Sequence, residues 1–308
     1  MNRYAVLGTG ALGGFYGSRL QKAGLEVHFL LHSDYEHVRQ YGLRVISPDG
    51  DFLLPQVNAY GNVEQMPPCD VVLVALKTTQ NHLLDQLLPP LLNPDSIVIL
   101  MQNGLGAEPT IAKIARHVAG GLCFICAHKI GPGVIQHIDY KAIALGTYLE
   151  GYQPAGVSPQ LAAVAQDFQK AGIPTELSPD LLLTRWQKLV WNIPFNGLSV
   201  VLNATTAQMM ADPGLVELIR QIMQEVARAA AGCDRTIPPS YLEERLAHTK
   251  NMRPYLTSMK LDYDHHRPLE LETIFHNPIQ MARRNRVATP LTEMLYQQLQ
   301  FLDRQNQI

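Results

Sequence analysis

Along the first half of the chain the apolar positions come in short, unbroken runs, whereas past residue 180 they recur at helical spacing. "YAVL" (4–7), "EVHFLL" (26–31), "VVLVAL" (71–76), "SIVILM" (96–101) and "GLCFICAHKI" (121–130) are bounded by glycine, proline or polar residues. Runs of that length without alternation predict strands covered on both faces, as in a parallel sheet. Between the first two lie a glycine turn and a segment of helical character from Phe15 to Ala23, ending at Gly24. Strand, turn, helix, strand is the first unit of a doubly wound α/β sheet. Gly131 and Gly133 punctuate a turn, and "GVIQHIDYKAIALGTY" then predicts two more extended runs, added antiparallel.

After "AGIPTELSPD" the strand-like texture ends, and helical spacing covers 181–193, 214–231, 239–249, 270–285 and 290–303. The expected organisation is a dinucleotide-binding α/β domain over 1–174 and an all-helical domain over 175–308. In the first of these helices Lys188, Asn192 and Asn196 recur every fourth residue, which stacks an ammonium and two amides on one face. Pro194 stands among them. It either kinks one helix or marks the junction of two shorter ones, and the sequence allows both.

Composition narrows the partners. With 46% hydrophobic residues in 308, the chain can bury a large core, and 25 Lys plus Arg against 27 Asp plus Glu leave no basic footprint for nucleic acid. The N-terminus has no basic segment followed by an apolar stretch, and no apolar run is long enough to span a bilayer, so a cytoplasmic protein with a small-molecule partner and no membrane contact is expected. Four cysteines do not make a disulfide framework. Cys123 and Cys126 form a C-x-x-C inside an apolar run, which favours ordinary buried thiols over a redox or zinc site. His265 and His266 are adjacent, share no helical face, and suit a solvated segment better than a metal site.

The chemistry starts at "GTGALGG". Gly8 permits the tight turn after the strand, Gly10 lets backbone approach a pyrophosphate, and Gly13 lets helix and strand pack closely; the anion then rests on the helix start at Ala11 and Leu12. Two later strand ends add polar groups where ligands collect in such sheets, Lys77 after "LVAL" and Gln102, Asn103 and Gly104 after "VILM". Taken alone, each could equally be a solvated cap or a turn.

These stretches, with "GPGVIQH" (131–137), "WQKLVWNIPFNGLSVVL" (186–202) and "SMKLDYDHHRPLELE" (258–272), resemble the ketopantoate reductase family in the same order over nearly the whole chain. The resemblance implies an N-terminal Rossmann domain, a helical domain like that of 6-phosphogluconate dehydrogenase, and NADPH-dependent reduction of a 2-keto acid, typically 2-dehydropantoate. It places the catalytic lysine on Lys188 and a second catalytic group on Glu270. Substrate contacts fall on Asn103, Asn192, Asn196 and Ser258. The cofactor falls to Gly8, Gly10, Ala11, Leu12, Gly13, His32, Lys77, Asn103 and Glu270, with no metal. This chain departs from the family pattern at His32, where an arginine is usual, at His266, where a glycine is usual, and at Leu269, where a threonine is usual. In related two-domain reductases the helical domain supplies dimer contacts, and a homodimer is the assembly the resemblance allows.

Hydride arriving at a ketone carbon leaves charge on the oxygen, so a proton donor must stand within hydrogen-bond reach. Lys188 suits that task, and a nearby Glu270 would hold it charged. The competing readings are a β-hydroxyacid dehydrogenase, against which the "QNG" strand end and the serine segment count, and a dinucleotide-binding module without catalysis, against which Lys188, Glu270 and Ser258 count together. His32 in place of arginine predicts a modest NADPH preference, unless Asp34 turns onto the ribose and favours NADH.

Overall fold

The first apolar run becomes β1 (Arg3–Leu7), whose alternate side chains point to opposite faces of one sheet. Tyr4 and Val6 join a core on one side with Val27, Phe29, Val71, Leu73, Ile97 and Ile99; Ala5 and Leu7 join another on the far side with Val72, Val74, Val98 and Leu100. Every one of these strand residues is buried, the physical reason their runs show no alternation. The computed structural model describes residues 2–253 and 256–307. It divides into one unit comprising the chain up to Gln102 with Ala107–Leu181, and another comprising Asn103–Gly106 with the chain from Leu182 on.

In the first unit β1 is followed by α1 (Ala11–Lys22), β2 (Glu26–Leu30), α2 (Tyr35–Tyr41), β3 (Leu43–Ile46), β4 (Phe52–Leu54), β5 (Asn58–Tyr60) and β6 (Cys69–Val74). Then come α3 (Leu84–Leu87), β7 (Leu92–Leu100), α4 (Glu108–Ile111), β8 (His117–Gly131), β9 (Val134–Thr147), α5 (Pro159–Lys170) and β10 (Thr175–Ser178). The strand order is β4-β3-β9-β8-β7-β6-β1-β2-β5, with β10 beside β9. From β8 to β5 every pair is parallel, and β9 runs antiparallel to β8. Its other edge is shared: β3 pairs with 134–136 and β10 with 143–146, both parallel.

The two extended runs expected after Gly133 are therefore one strand. Tyr140 interrupts it in the left-handed region, φ 54°, where the β8 register shifts, so a bulge splits the apolar pattern without ending the pairing. Gly24 ends α1 as expected, with φ 88°. Cys123 and Cys126 lie on β8 as buried thiols, and burial pushes Cys126 up to about 12.

From Leu181 on, the described elements are helical: α6 (Leu181–Val201), α7 (Thr206–Ala211), α8 (Pro213–Gly232), α9 (Pro239–Asn251), α10 (Ser258–Asp264), a π-turn over Glu272–His276, α11 (Asn277–Arg284) and α12 (Pro290–Asn306). α6 is a single helix with Pro194 inside it, so the two-helix reading fails. Trp191 stacks on Phe195 at 4.9 Å across that proline, and Gly197 lets Leu295 and Phe275 pack against the helix, a Cβ there meeting Leu295 Cδ2 at 2.5 Å. The helix expected over 270–285 is divided. Glu270 precedes the π-turn, and Pro278 is the second residue of α11, so the α-helical ladder is broken between them.

Candidate active site

The glycine turn of the first unit has the shape its spacing implies. Gly8 has φ 94°, and a Cβ on it would lie 2.7 Å from Leu76 N; on Gly13 it would lie 2.2 Å from Gly8 O and 2.8 Å from Val6 Cγ1. Only glycine fits either place. Gly10 differs, because a Cβ there meets nothing within 4 Å, and it is the N-cap of α1 with no side chain capping the helix. The first N–H groups of a helix have no intrahelical acceptor, so Ala11, Leu12 and Gly13 present donors and a positive dipole end to that open space. No acidic residue occupies the first turn. This cradle fits a dinucleotide pyrophosphate. Thr9 Oγ1 donates to Leu30 O at 3.0 Å and so fixes the turn to the end of β2.

His32 and Ser33, just past that end, are exposed, and so is Lys77 at the start of the 3-10 turn after β6. Gln102, at the end of β7, donates through Nε2 to Leu76 O at 2.9 Å and to Asn81 Oδ1 at 2.6 Å, which ties neighbouring strand ends together. Asp34 does not turn outward. It is 6% exposed, accepts the Gly133 N–H at 3.0 Å and pairs with Lys129 Nζ at 2.7 Å.

The second unit gathers the remaining candidates. Along α6, Lys188 is half-buried while Asn192 and Asn196 are 5% and 2% exposed. Among the described residues Asn192 Nδ2 is buried with no hydrogen-bond partner. An orphaned amide donor in a protein interior costs about 1–3 kcal/mol, which a ligand oxygen would recover. Near the C-terminal end of α6, Ser199 Oγ donates to Asn196 O at 2.9 Å and bonds Thr257 Oγ1 at 2.8 Å. Thr257 in turn caps α10 by accepting from Lys260 N at 3.2 Å, so the start of α10, where Ser258 lies, is tied to α6 at Ser199. Glu270 is 5% exposed and lies two residues before the π-turn, with Leu271 between them.

The loop that carries Asn103 belongs to the same unit and is held by that turn. In the π register the Thr273 carbonyl would pair with residue 278, which is proline and has no N–H. Leu105 N–H takes the place, donating to Thr273 O at 2.8 Å, while Asn277 Nδ2 donates to Leu105 O at 2.9 Å. Gly104 has φ 93°, and a Cβ there would lie 2.4 Å from the Thr273 carbonyl, so the loop lies flat on the turn. Sequence reading passed over Thr9, Lys129, Thr257, Thr273 and Asn277. The one local signal was Pro278 inside a helical pattern.

His265 Nδ1 bonds Leu261 O at 2.7 Å and His266 Nδ1 bonds Asn306 O at 3.0 Å, so the adjacent rings serve separate carbonyls. Among the described residues no group of His, Cys, Asp and Glu is arranged to hold a metal ion, and no helix is long and apolar enough to cross a membrane.

Comparison with known proteins bears on the family and the fold. The family described as ketopantoate reductase PanE/ApbA matches residues 4–150, and its C-terminal counterpart matches residues 180–303. A 2-dehydropantoate 2-reductase from Nostoc sp. is 56% identical over 306 residues, covering 99% of this chain and 96% of the relative. The crystal structure of a 2-dehydropantoate 2-reductase from Geobacter metallireducens superposes with a TM-score of 0.93 at 38% identity, covering 97% of this chain and 99% of that one. A dimeric ketopantoate reductase from Staphylococcus aureus shares the fold, with a TM-score of 0.82 at 21% identity over 99% of each of the two chains.

Proposed function

The chain belongs to the ketopantoate reductase family, and from that premise we propose that it reduces 2-dehydropantoate to pantoate with NADPH. The observation that carries the site assignment is the orphaned, buried Nδ2 of Asn192, on the same α6 face as Lys188 and Asn196. An amide donor held dry and unused suits an acceptor-rich ligand, and a 2-keto acid brings a carboxylate and a carbonyl.

NADPH, when bound, supplies the hydride that forms the new C–H bond at the keto carbon. The pyrophosphate is assigned to the Gly8–Gly13 turn, with the helix start at Ala11 and Leu12 as donor, and His32 and Lys77 lie at strand ends of the same unit. Lys188 gives its proton to the ketone oxygen as that oxygen gains charge and recovers one from solvent afterwards. Its ammonium also stabilises the developing alkoxide electrostatically. Glu270 orients the lysine, and Asn192, Asn196 and Ser258 hold the carboxylate and hydroxyl without adding charge. Asn103, on the loop clamped by Thr273 and Asn277, borders nicotinamide and substrate in this assignment.

Action in the cytoplasm and assembly as a homodimer complete the proposal. The exposed apolar residues Met294 and Phe301 on α12 are compatible with such assembly, which light scattering on the purified chain measures directly.

The test is turnover with NADPH and a panel of 2-keto acids, of which 2-dehydropantoate is expected to give the highest kcat/KM. Lys188→Ala should lower kcat by about 10³-fold or more while NADPH affinity stays within about twofold, because the lost group acts on charge present only in the transition state. A variant keeping more than about a tenth of wild-type turnover removes Lys188 from the role.

A further inference from the structure

Asp34 stands roughly 20 residues past the last glycine of the turn, the spacing at which NAD-binding enzymes of this fold place the acid that accepts the ribose hydroxyls. In this chain that carboxylate is engaged elsewhere. It is buried, it accepts the Gly133 N–H across 99 residues of sequence at 3.0 Å, and Lys129 Nζ lies 2.7 Å away. Both partners belong to the β8–β9 hairpin: Lys129 is near the end of β8, and Gly133, with φ 65°, immediately precedes β9. The connection is also fastened to the other side of α2, since a Cβ on Gly133 would lie 2.9 Å from Gly42 O and Gly133 O accepts from Arg44 N at 2.8 Å. Asp34 is thus bound to the β8–β9 hairpin of the sheet.

We infer that Lys129 is a cofactor-specificity residue that acts by restraining Asp34: it holds and neutralises the carboxylate, leaving His32 and Ser33 as the groups facing the ribose end of the cofactor. The inference rests on the NADPH reading above. A free Asp34 would repel a 2'-phosphate and accept the two hydroxyls of an unphosphorylated ribose, so loss of Lys129 should move the protein toward NADH. Holding the acid away from that position costs the protein little, because the ion pair and the N–H bond satisfy it where it is. The same arrangement accounts for a preference for NADPH in a chain that has histidine at position 32.

Direct titration of the full chain with NADPH and with NADH, without keto acid, tests the restraint separately from the reaction, whose own failure would appear in the turnover assay. Lys129→Met is expected to weaken NADPH binding by about tenfold and leave NADH binding equal or tighter. Adding Asp34→Asn to that variant should return the preference to the wild-type ratio, because no carboxylate remains to be freed. Lys129→Arg, which keeps the charge, should keep the ratio. If Lys129→Met does not fold, Lys129→Gln, which retains a donor without the charge, should give an intermediate ratio. Three results overturn the inference: an unchanged ratio in the folded lysine variant, an equal loss for both cofactors, or a loss that persists in the double variant. The last would make Lys129 a direct phosphate ligand.

Discussion

At the scale of single residues, Gly10 and Gly13 separate what the fold requires from what the ligand requires. Gly13 has Gly8 O and Val6 Cγ1 inside the radius of any Cβ, so Gly13→Ala forces backbone apart and is expected to cost about 1–3 kcal/mol of stability. Gly10 has open space and an extended conformation, φ −85°. Gly10→Ala should therefore change stability by less than about 1 kcal/mol while lowering NADPH affinity by about tenfold, since the methyl occupies the approach of the pyrophosphate. Urea denaturation beside cofactor titration reads both effects, and a Gly10 variant that binds normally would move the pyrophosphate away from this turn. Motif spacing made these residues legible. Lys188, Asn192 and Asn196 were legible for the same reason, a polar face at helical period in an apolar segment. Asn277 was not, because its partner Leu105 lies 172 positions away and its amide serves a backbone carbonyl.

Elements with long apolar signatures could be read from the chain, and those fixed by their neighbours could not. β3, β4, β5 and β10 have three or four residues each and are strands because a partner offers its edge. Pro194 lay beyond sequence reasoning for a related reason: whether a helix survives a proline depends on what packs around it, and here Phe195, Gly197 and their neighbours are buried. The π-turn after Glu270 has a functional test. Asn277→Leu removes the bond to Leu105 O, loosening the loop that carries Asn103. It should lower kcat by about tenfold, restore none of it at saturating substrate, and leave NADPH affinity unchanged. Unaltered kcat would reduce the clamp to packing. A second prediction concerns α12, whose first N–H groups are taken by a carboxylate from α8. Glu225, 2% exposed, accepts from Leu291 N at 3.0 Å, Thr292 N at 2.9 Å and Thr292 Oγ1 at 3.0 Å. Glu225→Ala orphans these donors and should cost about 2–3 kcal/mol by urea denaturation. A cost under about 0.5 kcal/mol would mean that another group satisfies them.

For the molecule as a whole, the titrating groups predict two separate windows of acid destabilisation. His137, a β9 residue within the "GPGVIQH" stretch, is 4% exposed and bonds Ser47 Oγ through Nδ1 at 2.8 Å and the Tyr140 carbonyl through Nε2. A carbonyl only accepts, so Nε2 carries the proton and Nδ1 accepts from the serine, which the neutral ring satisfies. Burial lowers the pKa of His137 below the ordinary histidine value, against the raising effect of the Tyr140 carbonyl and Asp49; Arg19 and Lys141 reinforce the lowering. His128 is lowered by burial as well. A base with a lowered folded-state pKa binds fewer protons folded than unfolded, so its stabilisation is complete above about pH 6.5 and is lost as pH falls through the folded value. Glu26, Asp49, Glu243 and Glu293 are also lowered, by hydrogen bonds to His28, Lys141, Arg220 and Arg283 respectively, but their contribution is lost only below the ordinary carboxylate range. Unfolding free energy measured from pH 8 to pH 3 should therefore begin to decline as pH falls below about 6.5, through the histidines, and decline further below about pH 4.5, through the carboxylates. His137→Gln, which cannot titrate, should flatten the first decline and leave the second in place. Equal slopes in both proteins through the first window would show that the buried histidine network does not carry the pH dependence.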